Sequence, residues 1–90
     1  MDRWRFVITV VAEADLDRLD AATRRRIINK LEWFTEHFDH LSPLPLGGAW
    51  KGFFKLRIGD WRVAYEVDHT QHLVTIHYID HRSKMYKRRS

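Results

Sequence analysis

The chain has no cysteine, only two prolines and four glycines among its ninety residues, and no apolar run near the ~18 residues needed to cross a bilayer. Without cysteine there is no disulfide framework and no thiolate chemistry, which suits a reducing, cytoplasmic setting. The opening Met1-Asp2-Arg3-Trp4 lacks the apolar core of a signal peptide, so no targeting segment and no membrane partner are expected. Both prolines fall in Leu41-Ser-Pro-Leu-Pro-Leu-Gly-Gly48, a run that cannot continue a helix and reads as a loop.

What is present fits one small domain spanning 1–90. Hydrophobic residues make up 44% and include four tryptophans, enough for a core, although a chain this short buries only about 60–65% of its unfolded surface. Lys and Arg outnumber Asp and Glu by 16 to 12, giving a net charge of +4. The pI near 9.8 favours an anionic partner: nucleic acid, an acidic protein, or both.

Trp4 to Val11 is rich in β-branched and aromatic residues and reads as a first strand. Ala12 to Asp20 reads as a short helix with Leu16 and Leu19 on one face. In Ala21 to Asp39, Ile27, Leu31, Phe34 and Phe38 recur at helical spacing, Ile28 widens the stripe, and Asp20 is placed to cap it. Three strands follow, at about 51–58, 61–68 and 72–80. The order β-α-α-β-β-β describes a small α+β domain: a mostly antiparallel sheet with two helices packed on one face.

The hairpin around Gly59-Asp60 assigns the faces. With these two residues central in a primed turn, Ile58 pairs with Trp61, Leu56 with Val63, and Phe54 with Tyr65. That apolar set should face the helices. The opposite set pairs Arg57 with Arg62, Lys55 with Ala64, and Phe53 with Glu66. Arginine opposite arginine weakens an isolated hairpin, so this face needs an anion to make sense. Continued through Asp68-His69-Thr70-Gln71, the register puts Val74, Ile76 and Tyr78 in the core. It puts Thr75, His77 and Ile79 on the cationic face, with His77 beside Arg62. A slip of one residue would invert the assignment.

From Asp80 to Arg89 the chain carries five Lys or Arg and one acid. Folded back beside the cationic face, this segment would bring Arg82 and Tyr86 toward Arg62. An aromatic ring among guanidinium groups receives single-stranded RNA well, because bases stack on the ring and phosphates pair with the arginine forks.

At these residues the sequence resembles the RelE/ParE superfamily of bacterial toxins, and its RelE branch in particular. The resemblance is carried by Lys55-Leu56-Arg57-Ile58-Gly59-Asp60-Trp61-Arg62-Val63-Ala64-Tyr65-Glu66-Val67 and by Asp80-His81-Arg82-Ser83-Lys84-Met85-Tyr86. Leu16 to Leu19 and the helix ending near Phe38 fit the two-helix segment of the family. The resemblance implies a type II toxin that enters the ribosomal A site and cuts the mRNA codon there. A cognate antitoxin would restrain it in a hetero-oligomer. It implies attack of the ribose 2′-hydroxyl on the adjacent phosphate, leaving a 2′,3′-cyclic phosphate and a 5′-hydroxyl, with no cofactor and no metal. The catalytic positions implied are Lys55, Arg62, Arg82 and Tyr86. Arg62 would stabilise the phosphorane, Arg82 would act near the leaving group, and Tyr86 would orient or stack on the cleaved nucleotide. Arg57, Lys51, His77, His81, Lys84 and Lys87 are candidate RNA and phosphate contacts.

The chemistry needs those residue types in any case. Something must take the 2′-OH proton, cations must meet the charge on the phosphorane, and a donor must reach the 5′-oxygen. Lys55 is the candidate base or electrostatic aid, Arg57 and Arg62 the phosphate clamps, and Arg82 the leaving-group stabiliser. One departure counts against this set. Several RelE-like members carry a further lysine where this chain has Phe53, and Lys51, His77 and His81 are the candidate substitutes. ParE-like relatives share the fold but inhibit DNA gyrase without a nuclease site, and a decayed toxin that only binds its antitoxin is a third alternative. The pairs His69/His72 and His37/His40 have no third ligand at recognisable spacing, so no metal site is expected from them. Arg24-Arg25-Arg26 reads as the solvated face of the second helix.

Overall fold

Thr9 decides where the first strand stops. Its side-chain oxygen accepts the Ala12 N–H at 3.1 Å and caps a helix, so Val10 and Val11 leave the strand that their β-branched character suggested. In the computed structural model, which describes residues 3–89, β1 is therefore Arg5–Ile8 and α1 is Val10–Asp17. The Met1-Asp2 part of the segment read for a targeting signal, and the last residue of the 1–90 domain, lie outside the described residues.

Helix α2 is Ala21–Glu36. Asp20 caps it by accepting the Thr23 N–H at 2.7 Å. That bond to the helix N-terminus also holds the Asp20 carboxyl below its ordinary range. The helix stops short of the expected Asp39, and Phe38–His40 tightens into a single 3-10 turn. Ile27, Leu31, Phe34 and Phe38 are all buried, as the helical spacing required, and Ile28 packs against them from the edge.

Four strands follow rather than three: β2 Leu44–Gly47, β3 Trp50–Ile58, β4 Trp61–Asp68 and β5 Leu73–His81. The extra one, β2, comes from the proline-containing run expected to be a loop. It is four residues long and lies at the sheet edge, where a proline costs no ladder hydrogen bond. The sheet order is β1-β5-β4-β3-β2, antiparallel throughout except for β1 beside β5. Both helices pack on one face, where Ala12, Leu16, Ile27, Leu31 and Phe34 meet Ile58, Val63, Tyr65, Val74, Ile76 and Ile79.

The β3–β4 register follows the primed-turn expectation from Phe54 opposite Tyr65 to Ile58 opposite Trp61, with Arg57 opposite Arg62. The β4–β5 register departs from it. Ala64 pairs with Tyr78 but Tyr65 pairs with Ile76, so His77 is the extra residue of a β-bulge. Beyond it the two faces exchange. Ile79, expected on the cationic face, enters the helix-side core, and Tyr78 turns to the opposite face. Asp80, not His77, lies across from Arg62. A second, smaller core results on the far side of the sheet, where Trp50, Ala64 and Met85 are packed about by Leu46, Phe53 and Tyr78.

Candidate functional site

The chain after β5 turns back over this second core. Met85–Arg89 forms a short 3-10 helix, and Met85 is fully buried between the sheet and the turn. With about three residues per turn, burying Met85 swings Tyr86 outward. Tyr86 is 46% exposed, and its hydroxyl accepts a hydrogen bond from the Lys55 ammonium at 3.3 Å. The ammonium lies 5.9 Å from the centre of the same ring.

Arg57 follows Lys55 on the same face of β3, two residues along, and Arg62 stands opposite Arg57 on β4. Arg62 relieves the like-charge conflict by bending to its own turn, where Nη1 donates to the carbonyls of Gly59 (2.8 Å) and Trp61 (2.9 Å). Arg82 reaches the same turn. Its backbone N–H donates to the Asp60 carbonyl at 2.8 Å, and its Nε lies 3.7 Å from the Asp60 carboxylate. Among the described residues, no carboxylate forms an ion pair with Lys55, Arg57 or Arg62. Cations and an exposed phenol on one sheet face are the groups that can pair with a phosphodiester and stack on its base.

The expected site residues therefore divide. Lys55 meets Tyr86 in mid-sheet, while Arg62 and Arg82 meet around Gly59-Asp60, and Arg57 lies between the two groups. His77 sits at the bulge with Nε2 against the Glu66 carboxylate and its ring 5.1 Å from that of Phe53. His81 lies on the helix side, edge-on to Trp61 at 5.6 Å, with Nδ1 2.9 Å from the Ser83 hydroxyl. Lys84 lines a cleft of about 250 Å³ with Asp15, Trp61 and His81, away from Lys55. Lys51 is exposed at the start of β3, and Lys87 is exposed on the turn that carries Tyr86.

A family model described as the ParE toxin of the type II toxin–antitoxin system parDE matches residues 6–86. The chain belongs to this toxin family. No curated protein sequence matches it. Its fold is similar to that of the RelBE2 toxin–antitoxin complex from Mycobacterium tuberculosis, with TM-score 0.79 and 22% identity over 89% of this chain and 99% of that one. A mutant of Escherichia coli RelE in the free state is similar at TM-score 0.74 and 15% identity, covering 98% of this toxin and 95% of that chain. The chromosomal ParDE system of Pseudomonas aeruginosa gives TM-score 0.69 and 16% identity over 88% and 96% of the two chains. The toxin thus lies within the RelE/ParE superfamily and has its α+β fold.

In this toxin Phe53, the departure from the resemblance, is an apolar side chain with a packing role. The Phe53 ring stands edge-on to Trp50 at 5.6 Å as part of the second core. Of the three candidate substitutes, His77 stands edge-on to that ring, and His81 is on the other face.

Sequence reasoning missed Asp15 and Arg88. Asp15 is a buried carboxylate on α1 that accepts the Ile79 N–H at 2.9 Å and the Arg88 guanidinium at 2.8 Å. Nothing marks it in Ala12-Glu13-Ala14-Asp15, where it looks like one more surface acid. Arg88 is equally hidden inside a basic run.

Proposed function

We propose that this toxin is a ribosome-dependent mRNA endoribonuclease that cuts A-site codons and is held inactive by a cognate antitoxin. The observation that carries the reading is the Tyr86 hydroxyl hydrogen-bonded to Lys55, with Tyr86 exposed for stacking on a face where Arg57 and Arg62 have no carboxylate partner among the described residues. A nucleotide laid on Tyr86 brings its 3′-phosphate toward the two arginines. The 2′-OH proton passes to water, helped by the positive charge of Lys55 beside the phenol. The oxygen it leaves attacks phosphorus, the P–O5′ bond breaks, and the departing 5′-oxygen takes a proton from water. Arg62 meets the negative charge that develops on the phosphorane. Both of its bonds to carbonyls use Nη1, which aims the side chain and leaves Nη2 and Nε for phosphate oxygens. Arg82 serves the departing 5′-oxygen from the turn. Its ion pair with Asp60 is exposed on both sides and gives way to a phosphate at little cost. The protein's own cations supply the charge, so the mechanism calls for no metal.

The antitoxin partner is supported by the similar structures, several of which are toxin–antitoxin complexes. A second reading, non-enzymatic inhibition of gyrase, is favoured by two observations. The matching family model is that of ParE toxins, and Phe53 packs on the second core, at the position where the resemblance sets a further lysine in several RelE-like members.

The test is antitoxin-free, refolded toxin added to ribosomes stalled on a defined mRNA, with new RNA ends mapped by primer extension. Cutting inside the A-site codon that vanishes without ribosomes is the expected result. Cutting of naked RNA would keep the chemistry and remove the ribosome. No cutting by a folded sample, together with inhibited gyrase supercoiling, would establish the second reading.

A further inference from the structure

We propose that Arg88 is a positioning residue that latches the C-terminal turn and thereby holds Tyr86 against Lys55. The proposal rests on Tyr86 belonging to the site described under the proposed function.

The latch arises from a gap in the sheet. β1 pairs with β5 only from Leu73 to Ile76, so the rest of the β5 edge has no neighbouring strand. The start of α1 covers that edge instead. The Thr9 N–H donates to the Ile76 carbonyl at 3.1 Å, the Thr9 hydroxyl donates to His77 at 3.3 Å, and the Asp15 carboxylate accepts the Ile79 N–H. Asp15 takes the place of a strand carbonyl, and this draws a negative charge into the protein, where its side chain is only 1% exposed.

A buried carboxylate needs a cation with defined geometry. Arg18 touches one oxygen, but its side chain is 72% exposed and solvent weakens the pair. Arg88 takes the other oxygen from a side chain only 22% exposed. The same Nη1 lies 3.4 Å from the Asp80 carboxylate, and the guanidinium sits 4.7 Å from the centre of the Tyr78 ring. Arg88 is thus gripped by α1, by β5 and by an aromatic face together.

The spacing passes that grip to Tyr86. Arg88 follows Met85 by three positions, one turn of a 3-10 helix, so both point inward and Tyr86 between them points out. Met85 anchors one end of the turn in the second core, and Arg88 anchors the other at the α1–β5 edge. Among the described residues, the polar contact of Tyr86 with the sheet is the one to Lys55. Its position is set by its neighbours.

The test is ring-carbon NMR of the full toxin with labelled tyrosine, the Tyr86 signal being assigned with Tyr86→Phe. In the native background Lys55→Met should shift that signal, because the ammonium lies beside the ring. In an Arg88→Ala background the same Lys55→Met change should shift nothing, while Arg88→Lys, which can still reach both carboxylates, should retain the response. A full Lys55→Met shift in Arg88→Ala overturns the latch. Should Arg88→Ala fail to fold, Asp80→Asn keeps the pair with Asp15 and removes half the grip. A reduced response is then expected, and an unchanged one overturns the proposal.

In the ribosome assay Arg88→Ala should lower kcat on the order of 10²-fold, the cost of a displaced reacting group, with KM unchanged. A rise in KM with kcat intact would make Arg88 an RNA contact instead. If the native toxin cuts nothing, the nuclease reading falls while the NMR response still decides the latch.

Discussion

The Tyr86 hydroxyl stands 3.3 Å from the Lys55 ammonium, across 31 residues of sequence. The contact joins the middle of β3 to a turn beyond the last strand, and under the proposed function it is the pair that assists proton transfer on a face otherwise held by arginines. Lys55→Ala should lower ribosome-dependent cleavage by ~10²–10⁴-fold, the range for a positioned acid–base group. Tyr86→Phe keeps the stacking ring and loses only the hydroxyl, so its loss should be smaller than that of Tyr86→Ala. Single-turnover cleavage of a defined mRNA separates the two, and equal losses would assign the whole role to the hydroxyl.

Arg62 carries a different burden. Its bonds to Gly59 and Trp61 aim the guanidinium, and its charge has no carboxylate partner among the described residues. Arg62→Ala should cut the rate by ~10²–10³-fold, as loss of one transition-state donor does. In cells it should relieve growth arrest, and so should Tyr86→Ala, with folding and antitoxin binding intact. Arg62→Lys should not restore activity, because an ammonium lacks the planar fork that grips two phosphate oxygens. Full toxicity of both alanine variants would move the site elsewhere.

The net charge of +4, and a Lys55 and Arg57 that form no ion pair with a carboxylate among the described residues, make a prediction about association. Contacts to phosphate release counterions, so ribosome binding should weaken steeply as salt rises. Titrating binding against salt gives the slope, and Arg57→Ala should make it shallower by about one unit per lost phosphate contact. A flat response would indicate a protein surface as the target.

How much of this was legible in the sequence depended on the range of the interaction. The hairpin register from Phe54–Tyr65 to Ile58–Trp61 was readable because a two-residue turn fixes pairing locally. So was the α2 stripe, which repeats Ile27, Leu31 and Phe34 at the helical period. The bulge at His77 was not readable, since no residue type there announces an unpaired position, and so the faces of Tyr78 and Ile79 came out exchanged. The edge strand at Leu44–Gly47 was hidden by Pro45 within it and Pro43 just before it, which signal a loop wherever the strand is not at an edge. Asp15 and Arg88 meet across 73 residues, and no local pattern encodes such a pair. The candidate site was legible as one cationic face, but its division between a mid-sheet group and a turn group depends on how the tail folds back.

Tyr65 supplies a test of the core that does not depend on the proposed chemistry. Its side chain is buried opposite Phe54, with its ring 5.1 Å from Phe34 and 5.8 Å from Phe54. Burial disfavours the phenolate and pushes the phenol above the ordinary tyrosine range. The neutral form is therefore the one the fold prefers. Below the unfolded pKa of about 10 both states hold the proton and the stabilisation is fully present. Above it the unfolded chain ionises first, and stability should fall by about 1.4 kcal/mol per pH unit until the folded phenol also titrates. Urea unfolding at pH values on either side of the unfolded tyrosine pKa measures that slope. Tyr65→Phe keeps the ring packing and removes the titrating group, so its stability should decline less over the same window. The same decline in both proteins would mean that the alkaline loss comes from other groups and that the Tyr65 phenol already meets solvent in the fold.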